Sequence, residues 1–431
     1  MLVVILSCLL LLCALLAHGS RSLTSPAVLF TSSWSLLVLF ALVFGSVYTY
    51  SADALAAMGA LIACFIAGCL LVSSSRAAPH RTGPRPEGVP VEDRWRPKIS
   101  RNAILLGALV GLFGAAVVSR TLGHSLLAFG SVGEFFAASQ ENAVSLYRGE
   151  NAIPFVGKIC FAVLQLACLA SGAKLVLTKD QKIRWELIAL GVAAVAWTLV
   201  TTQRTYVLVP AVWWLSGYVA ASTYVGGSRR LKPRSVLLAA VGATAFGAAI
   251  LAVRLVRTGS SASSASGLID SSRPWLAGYI PAFSSTYSRS TGESGSALTG
   301  LLQGVRALIG QGSDQLSGGY ENIGNGDSSN AGTILRFFLA GGDVLTAGVY
   351  LFALGCLCQF AYRRARNGYP LGAVAYAACI AGILWSPNSW FYGYGGRILA
   401  AILAGGLVFV SMKRSMGRAE HATEPPVAQL T

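Results

Sequence analysis

Long apolar runs dominate this chain, and a run of about 20 mostly apolar residues is the length that carries a helix across a bilayer. Eleven stretches qualify as candidate spans: Leu2–Leu16, Ala27–Val47, Ala52–Val72, Ala103–Leu122, Phe155–Leu177, Leu187–Thr201, Tyr206–Tyr224, Val236–Val256, Thr333–Tyr362, Leu371–Trp385 and Ile398–Met412. Only 12% of the 431 residues are charged and 54% are hydrophobic. A soluble domain carries about 25% charged residues, so this composition excludes a cytosolic enzyme, a disordered protein and a nucleic-acid-binding domain. The first span lacks the basic start and the cleavage site of a signal peptide and is read as retained. The expected fold is an all-α polytopic integral membrane protein, with about eleven transmembrane helices forming one domain over residues 1–431.

The net charge of +16 has an orienting cause. Of the 33 Lys and Arg, 21 fall in one set of alternating connections: Arg21, the stretch from Arg76 to Arg101, Lys179 to Arg184, Arg229 to Arg234, Arg363 to Arg366, and Lys413 to Arg418. Basic residues accumulate in cytoplasmic connections. The N-terminus is therefore expected outside and the C-terminus in the cytoplasm. Residues 74–100, rich in Pro and Arg, read as a cytoplasmic linker. Residues 123–154 form a first outer loop and residues 257–332 a large extracytoplasmic loop. Both carry helical signals. Ser131 and Glu134 have the spacing of a capping box. Leu298, Leu301, Leu302, Val305, Leu308 and Ile309 recur at helical spacing. Two turns cannot span a bilayer, so this second stretch is expected on the membrane surface or over a cavity, between Gly/Ser-rich flanks (Gly259–Gly267 and Gly310–Gly332). All nine cysteines lie in apolar stretches, so no disulfide framework is expected.

Phosphate-loop, HExxH, CxxC, GxSxG and DxD motifs do not occur, and there are only four histidines. No metal or cofactor is expected. The chemistry-bearing residues are instead cations on the outer side: Arg120, Arg148, Lys158, Arg204, Arg254, Arg257, Arg273, Arg289, Arg306, Arg336 and Arg397. Ten of these eleven are Arg, which stays charged when desolvated and grips phosphate or carboxylate through a planar fork. Arg204 sits in a tight turn, Thr201-Thr202-Gln203-Arg204-Thr205, between two spans. Arg254 and Arg257 are three apart and share a helix face. Arg336 falls in the first turn of the ninth span, and Arg397 opens the eleventh. Such a group suits a lipid-linked diphosphate; the competing reading is snorkelling to lipid head groups. Among the carboxylates, Asp343 lies inside an apolar span, where an ionised group is costly unless it faces a cavity or a partner such as Arg336. Glu321 is the next candidate base, its competing reading being a solvated loop residue.

Gln203-Arg204-Thr205 is similar to the small-x-Arg-[Ser/Thr] turn of the bacterial oligosaccharide repeat-unit polymerases, the Wzy-type O-antigen polymerases, which are relatives of the O-antigen ligases. Asn330-Ala331-Gly332-Thr333, followed by Phe338, Gly342-Asp343 and Gly348, resembles their Asn-x-x-Thr and Asp-x-Gly segment, which follows a large outer loop. The resemblance in topology extends from about Arg101 to Arg414. It implies a GT-C-like, metal-independent glycosyltransferase of the bacterial plasma membrane. Donor and acceptor would be undecaprenyl-diphosphate-linked oligosaccharides, with membrane lipid and a chain-length regulator protein as partners. On this reading Arg204, Arg254 and Arg257 hold the diphosphate, and Arg289, Arg306 and Arg336 complete the site. Glu321 or Asp343 accepts the proton of the acceptor hydroxyl, and the large loop is the lid. The alternatives are a ligase, a transporter or flippase of anionic lipid-linked glycans, and an envelope scaffold. The ligases use a large-loop histidine that this chain lacks, and a transporter calls for ionisable residues deep in several helices.

Overall fold

The computed structural model describes residues 2–20, 22–74, 99–122, 153–178, 184–201, 205–226, 276–290, 302–309, 321–324, 327–329, 333–339, 343–389 and 391–422, together with positions 134, 203, 273 and 274. The elements are α1 (Leu2–Ser20), α2 (Pro26–Phe44), α3 (Ala52–Ser74), α4 (Arg101–Thr121), α5 (Phe155–Leu177), α6 (Arg184–Thr201) and α7 (Thr205–Val225). They continue with α8 (Tyr279–Ser290), α9 (Gln303–Leu308), the strands β1 (Glu321–Gly324) and β2 (Asp327–Ser329), α10 (Ile334–Leu339), α11 (Val344–Arg366), α12 (Pro370–Trp385), a 3-10 turn (Phe391–Gly393) and α13 (Gly395–Ala422). Six helices, α2, α3, α4, α5, α11 and the Gly395–Met412 part of α13, are long and apolar enough to cross a membrane; α1, α6 and α12 are shorter apolar helices. The architecture is that of a helical membrane protein.

Local chemistry sets the helix starts. The Ser25 hydroxyl accepts from the Val28 N–H at 3.4 Å, with Pro26 at the first helical position. Ser100 caps α4 through the Asn102 N–H at 3.2 Å. In both cases a side-chain oxygen satisfies a donor that the helix itself leaves unpaired.

Glycines set the closest helix contacts. A Cβ on Gly68 of α3 would lie 2.1 Å from the Phe352 carbonyl oxygen of α11, and one on Gly355 would lie 2.1 Å from that of Phe65. The neighbouring thiols reciprocate: Cys69 donates to Gly355 O (3.3 Å) and Cys356 to Gly68 O (3.4 Å). The same reciprocal pattern joins α5 and α7, where Gly172 meets Trp214 O at 2.0 Å and Gly217 meets Leu169 O at 2.1 Å. Small residues let backbones approach where lipid supplies no hydrophobic drive between helices. In each pair the contacts advance in step along both chains, so the two helices run parallel.

Cross-links at the helix ends fix the relative directions. Arg363 near the end of α11 donates to Val72 O at the end of α3. The Tyr376 hydroxyl of α12 donates to Thr24 O ahead of α2, and the Thr223 hydroxyl at the end of α7 bonds that of Thr24 at 3.2 Å. On this face Glu186 of α6, 1% exposed, pairs with Lys174 of α5 at 2.6 Å and approaches Arg101 of α4 at 4.0 Å. With Arg363, Arg364 and Arg366 it is the basic face. Accordingly, α7 ends on the basic face and α11 begins on the opposite one. Those are the ends that the predicted span Val236–Val256, outside the described residues, is expected to join.

The core between α4, α5, α6 and α7 is aromatic. Trp197, buried against Phe161 and Tyr206, donates to Gly111 O at 2.8 Å, and Trp213 donates to Gln165 Oε1 at 2.7 Å. One predicted span is corrected. Thr333–Tyr362 is not continuous: α10 stops at Leu339 and a separate helix, α11, starts at Val344. Asp343, in extended backbone and capping the start of α11, makes the break. Most of the linker 74–100 and of the first outer loop, including Ser131, lies outside the described residues.

Candidate functional site

The face opposite the basic one is covered by short elements that the apolar pattern did not announce. The α8 helix is too polar to be a span: Tyr-Ile-Pro-Ala-Phe-Ser-Ser-Thr-Tyr-Ser-Arg-Ser. Its apolar residues Ile280 and Phe283 are buried among α2, α3 and α10, and the Ser284 hydroxyl accepts from the Ser51 N–H at 3.1 Å. The hairpin β1–β2 pairs Glu321 with Ser329 and Asn322 with Ser328, and its Ile323 packs on Tyr48, Ala277 and Ala282. Residues 257–332 thus hold a hairpin and the helix α8 besides the expected helical stretch, of which Gln303–Leu308 is the described helical part.

Two arginines of this face are buried. Arg336, on α10, is 6% exposed, and its Nε donates to the Thr286 hydroxyl of α8 at 2.9 Å. The Thr333 hydroxyl accepts from the Arg336 N–H at 3.1 Å, and the Ile334 N–H donates to Ser386 O at 2.8 Å. Arg397, in the first turn of α13, is 3% exposed. Its guanidinium lies 4.2 Å from the ring centre of Tyr394, 4.8 Å from Phe391 and 4.9 Å from Trp385, and Nη1 donates to Phe391 O at 3.0 Å. Cation–π contact with three rings lets a charge stay ionised in an apolar setting. Nearby, burial pushes the Tyr392 phenol well above its ordinary value, so it remains the donor to Ala378 O at 2.7 Å.

The predicted site residues are distributed as follows. Arg204 lies outside the described residues, between the end of α6 at Thr201 and the start of α7 at Thr205. Arg254 and Arg257 also lie outside them. Arg289 falls in the last turn of α8, and Arg306 is exposed on α9. Arg336 belongs to the separate short helix α10 rather than to the first turn of a span. Glu321 is part of strand β1 rather than an irregular loop. Asp343 is corrected from a mid-span position to the exposed N-cap of α11, where Oδ1 accepts from the Thr346 N–H at 2.7 Å. Hydrogen bonds from the Thr346 side chain and N–H hold its carboxyl below the ordinary range, which weakens it as a proton acceptor. Among the described residues, the structure thus joins α8 to α10 through Thr286 and Arg336.

Arg397 was visible in the sequence as an outer cation without a role. The signal for its burial was the aromatic density just before it, Trp385 and Phe391-Tyr392-Gly393-Tyr394. No group of three or more His, Cys, Asp or Glu converges among the described residues. Comparison with protein-family models, with curated proteins and with solved structures returned no match for this chain.

Proposed function

We propose that this protein is a membrane glycosyltransferase that polymerises undecaprenyl-diphosphate-linked oligosaccharide units on the outer side of a bacterial plasma membrane. The outer side is the face carrying α8, α9 and α10. The observation that carries the reading is the burial of Arg336. A snorkelling arginine extends to water or head groups. Arg336 instead turns inward from a helix too short to span, at the break ahead of α11. With Arg204, Arg254 and Arg257 from the predicted set it would stabilise charge on the leaving diphosphate. The capping duty and lowered pKa of Asp343 leave Glu321 as the preferred general base.

The positions of charge favour this over transport. In the described helices long or apolar enough to be read as spans, ionisable Asp, Glu, Lys and Arg sit in the end turns, as Asp53, Arg101, Arg120, Lys158, Lys174 and Glu186 do. With Asp343 at a helix start, no described span carries a central charge. The test is Arg204→Ala and Arg336→Ala in a strain whose own copy is deleted, with membrane levels matched. Single-unit glycan without long chains is expected. A normal ladder of chain lengths overturns the reading, and finished polymer stranded on its lipid carrier assigns a ligase instead.

A further inference from the structure

We propose that Arg397 is a positioning residue that pins the connection between Trp385 and Gly395 as a common seat for the three short helices of the outer face. The inference rests on the reading above for its consequence, but on geometry alone for its mechanism.

The connection touches each of the three short helices. Ser386 O accepts from the Ile334 N–H that opens α10 (2.8 Å), and so sets the helix that carries Arg336. Asn388 Oδ1 accepts from the Tyr279 hydroxyl at the start of α8 (3.2 Å), the helix that supplies Thr286 to Arg336. Tyr392 O lies where a Cβ on Gly304 would come within 1.9 Å, so α9, which carries Arg306, rests directly on the 3-10 turn. The connection is also tied to the bundle: Ser386 Oγ accepts from Trp34 Nε1 of α2 (3.2 Å), and Phe391 packs edge-on against Trp213 of α7 at 5.6 Å.

Among its described residues this connection has two turn bonds to Trp385 O and one 3-10 turn, Phe391–Gly393, rather than a helix or strand. Arg397 closes it from within. The guanidinium stacks on Trp385 before the connection, on Phe391 inside it and on Tyr394 at its end, while Nη1 holds Phe391 O. A lysine keeps the charge but loses the plane that faces three rings and the fork that reaches the carbonyl. The expected consequence of its substitution is a concerted loosening of α8, α9 and α10, with Arg336 displaced from where the diphosphate is bound. A misplacement of about 1 Å at a reacting group costs up to roughly 100-fold in rate.

The test uses the full chain in lipid nanodiscs, comparing wild type with Arg397→Lys and with Tyr394→Leu, which removes the nearest ring and keeps the arginine. Hydrogen exchange is followed in residues 279–290, 303–308 and 334–339, with α3 as internal reference. Polymerisation of a fluorescent undecaprenyl-diphosphate oligosaccharide is followed in parallel. In Arg397→Lys, exchange in all three segments should quicken together at least ten-fold while α3 is unchanged. The kcat should fall at least ten-fold with KM for the donor within about three-fold; Tyr394→Leu should show the same pattern more weakly. Unchanged exchange, loosening of one segment alone, or loosened helices with full turnover each overturn the proposal. If wild type forms no polymer, the functional reading falls, and the exchange result alone decides whether Arg397 seats the helices.

Discussion

Replacing Gly68 with Ala tests the packing that holds the two ends of the chain together. The added Cβ would lie 2.1 Å from Phe352 O, 3.0 Å from the carbonyl carbon and 3.0 Å from Cys356 N. An ordinary carbon–oxygen contact is about 3.4 Å, so α3 and α11 must separate locally by about 1.3 Å. The obstacle is helical backbone, which cannot rotate aside as a side chain can. A gap of that size forfeits at least a quarter to a half of the dispersion attraction across the contact. It also breaks the thiol bonds from Cys69 and Cys356. Overpacking of this kind costs about 1–3 kcal/mol, and the backbone clash puts Gly68→Ala near the upper end, about 3 kcal/mol. Thermal unfolding in detergent, read by size-exclusion fluorescence, should show a melting point several degrees below wild type. Gly405→Ala is the control, because no atom lies within 4 Å of the Cβ it adds. If Gly68→Ala melts with wild type, or no lower than Gly405→Ala, the close-contact argument is wrong.

Two further outcomes are expected. Glu186→Ala leaves Lys174, whose side chain is only 12% exposed, without the carboxylate 2.6 Å away, and should destabilise by about 3 kcal/mol; Lys174→Met combined with Glu186→Leu should recover most of that loss, measured by the same melting assay. Asp343 has a folded pKa below its unfolded value, so its contribution is present above the unfolded pKa and is lost as pH falls through the folded one. The melting-point advantage of wild type over Asp343→Ala should therefore be level through neutral pH and narrow in acid, whereas Asp343→Asn, which keeps an oxygen acceptor at the cap, should hold a margin over Asp343→Ala that does not change with pH.

The helices that read clearly in the sequence are those whose burial is decided by lipid. Phe155–Leu177 has the same limits in sequence and structure, and Tyr206–Tyr224 differs from α7 by one residue at each end. The stretch Thr333–Tyr362 departs from a single span for a local reason. Hydropathy averages over Asp343, whereas the backbone starts a new helix at that capping carboxylate. The same averaging made Asp343 look like a buried charge. The face opposite the basic one is less legible still. The α8 helix is polar by composition and becomes ordered through contacts with α2, α3 and β1 that are remote in sequence, so no short window signals it. The charge of Arg336 is legible in the sequence, but its burial brings it against Thr286, fifty positions earlier. For Arg397 the sequence shows the nearby aromatic residues, but only the fold closes Trp385, Phe391 and Tyr394 around its guanidinium.

The pairing of α3 with α11, and of the start of α2 with α12, sets an order of assembly. Residues near the beginning of the chain find their partners only after some 280 or more further residues have been made. Until then the Gly68 side of α3 lacks the helix it packs on. A chain halted before Val344 would hold α3 in the membrane without its closest neighbour. Quality control at the membrane therefore has a simple feature to read: the Gly68 side of α3 still facing lipid marks a chain whose last fifth has not arrived.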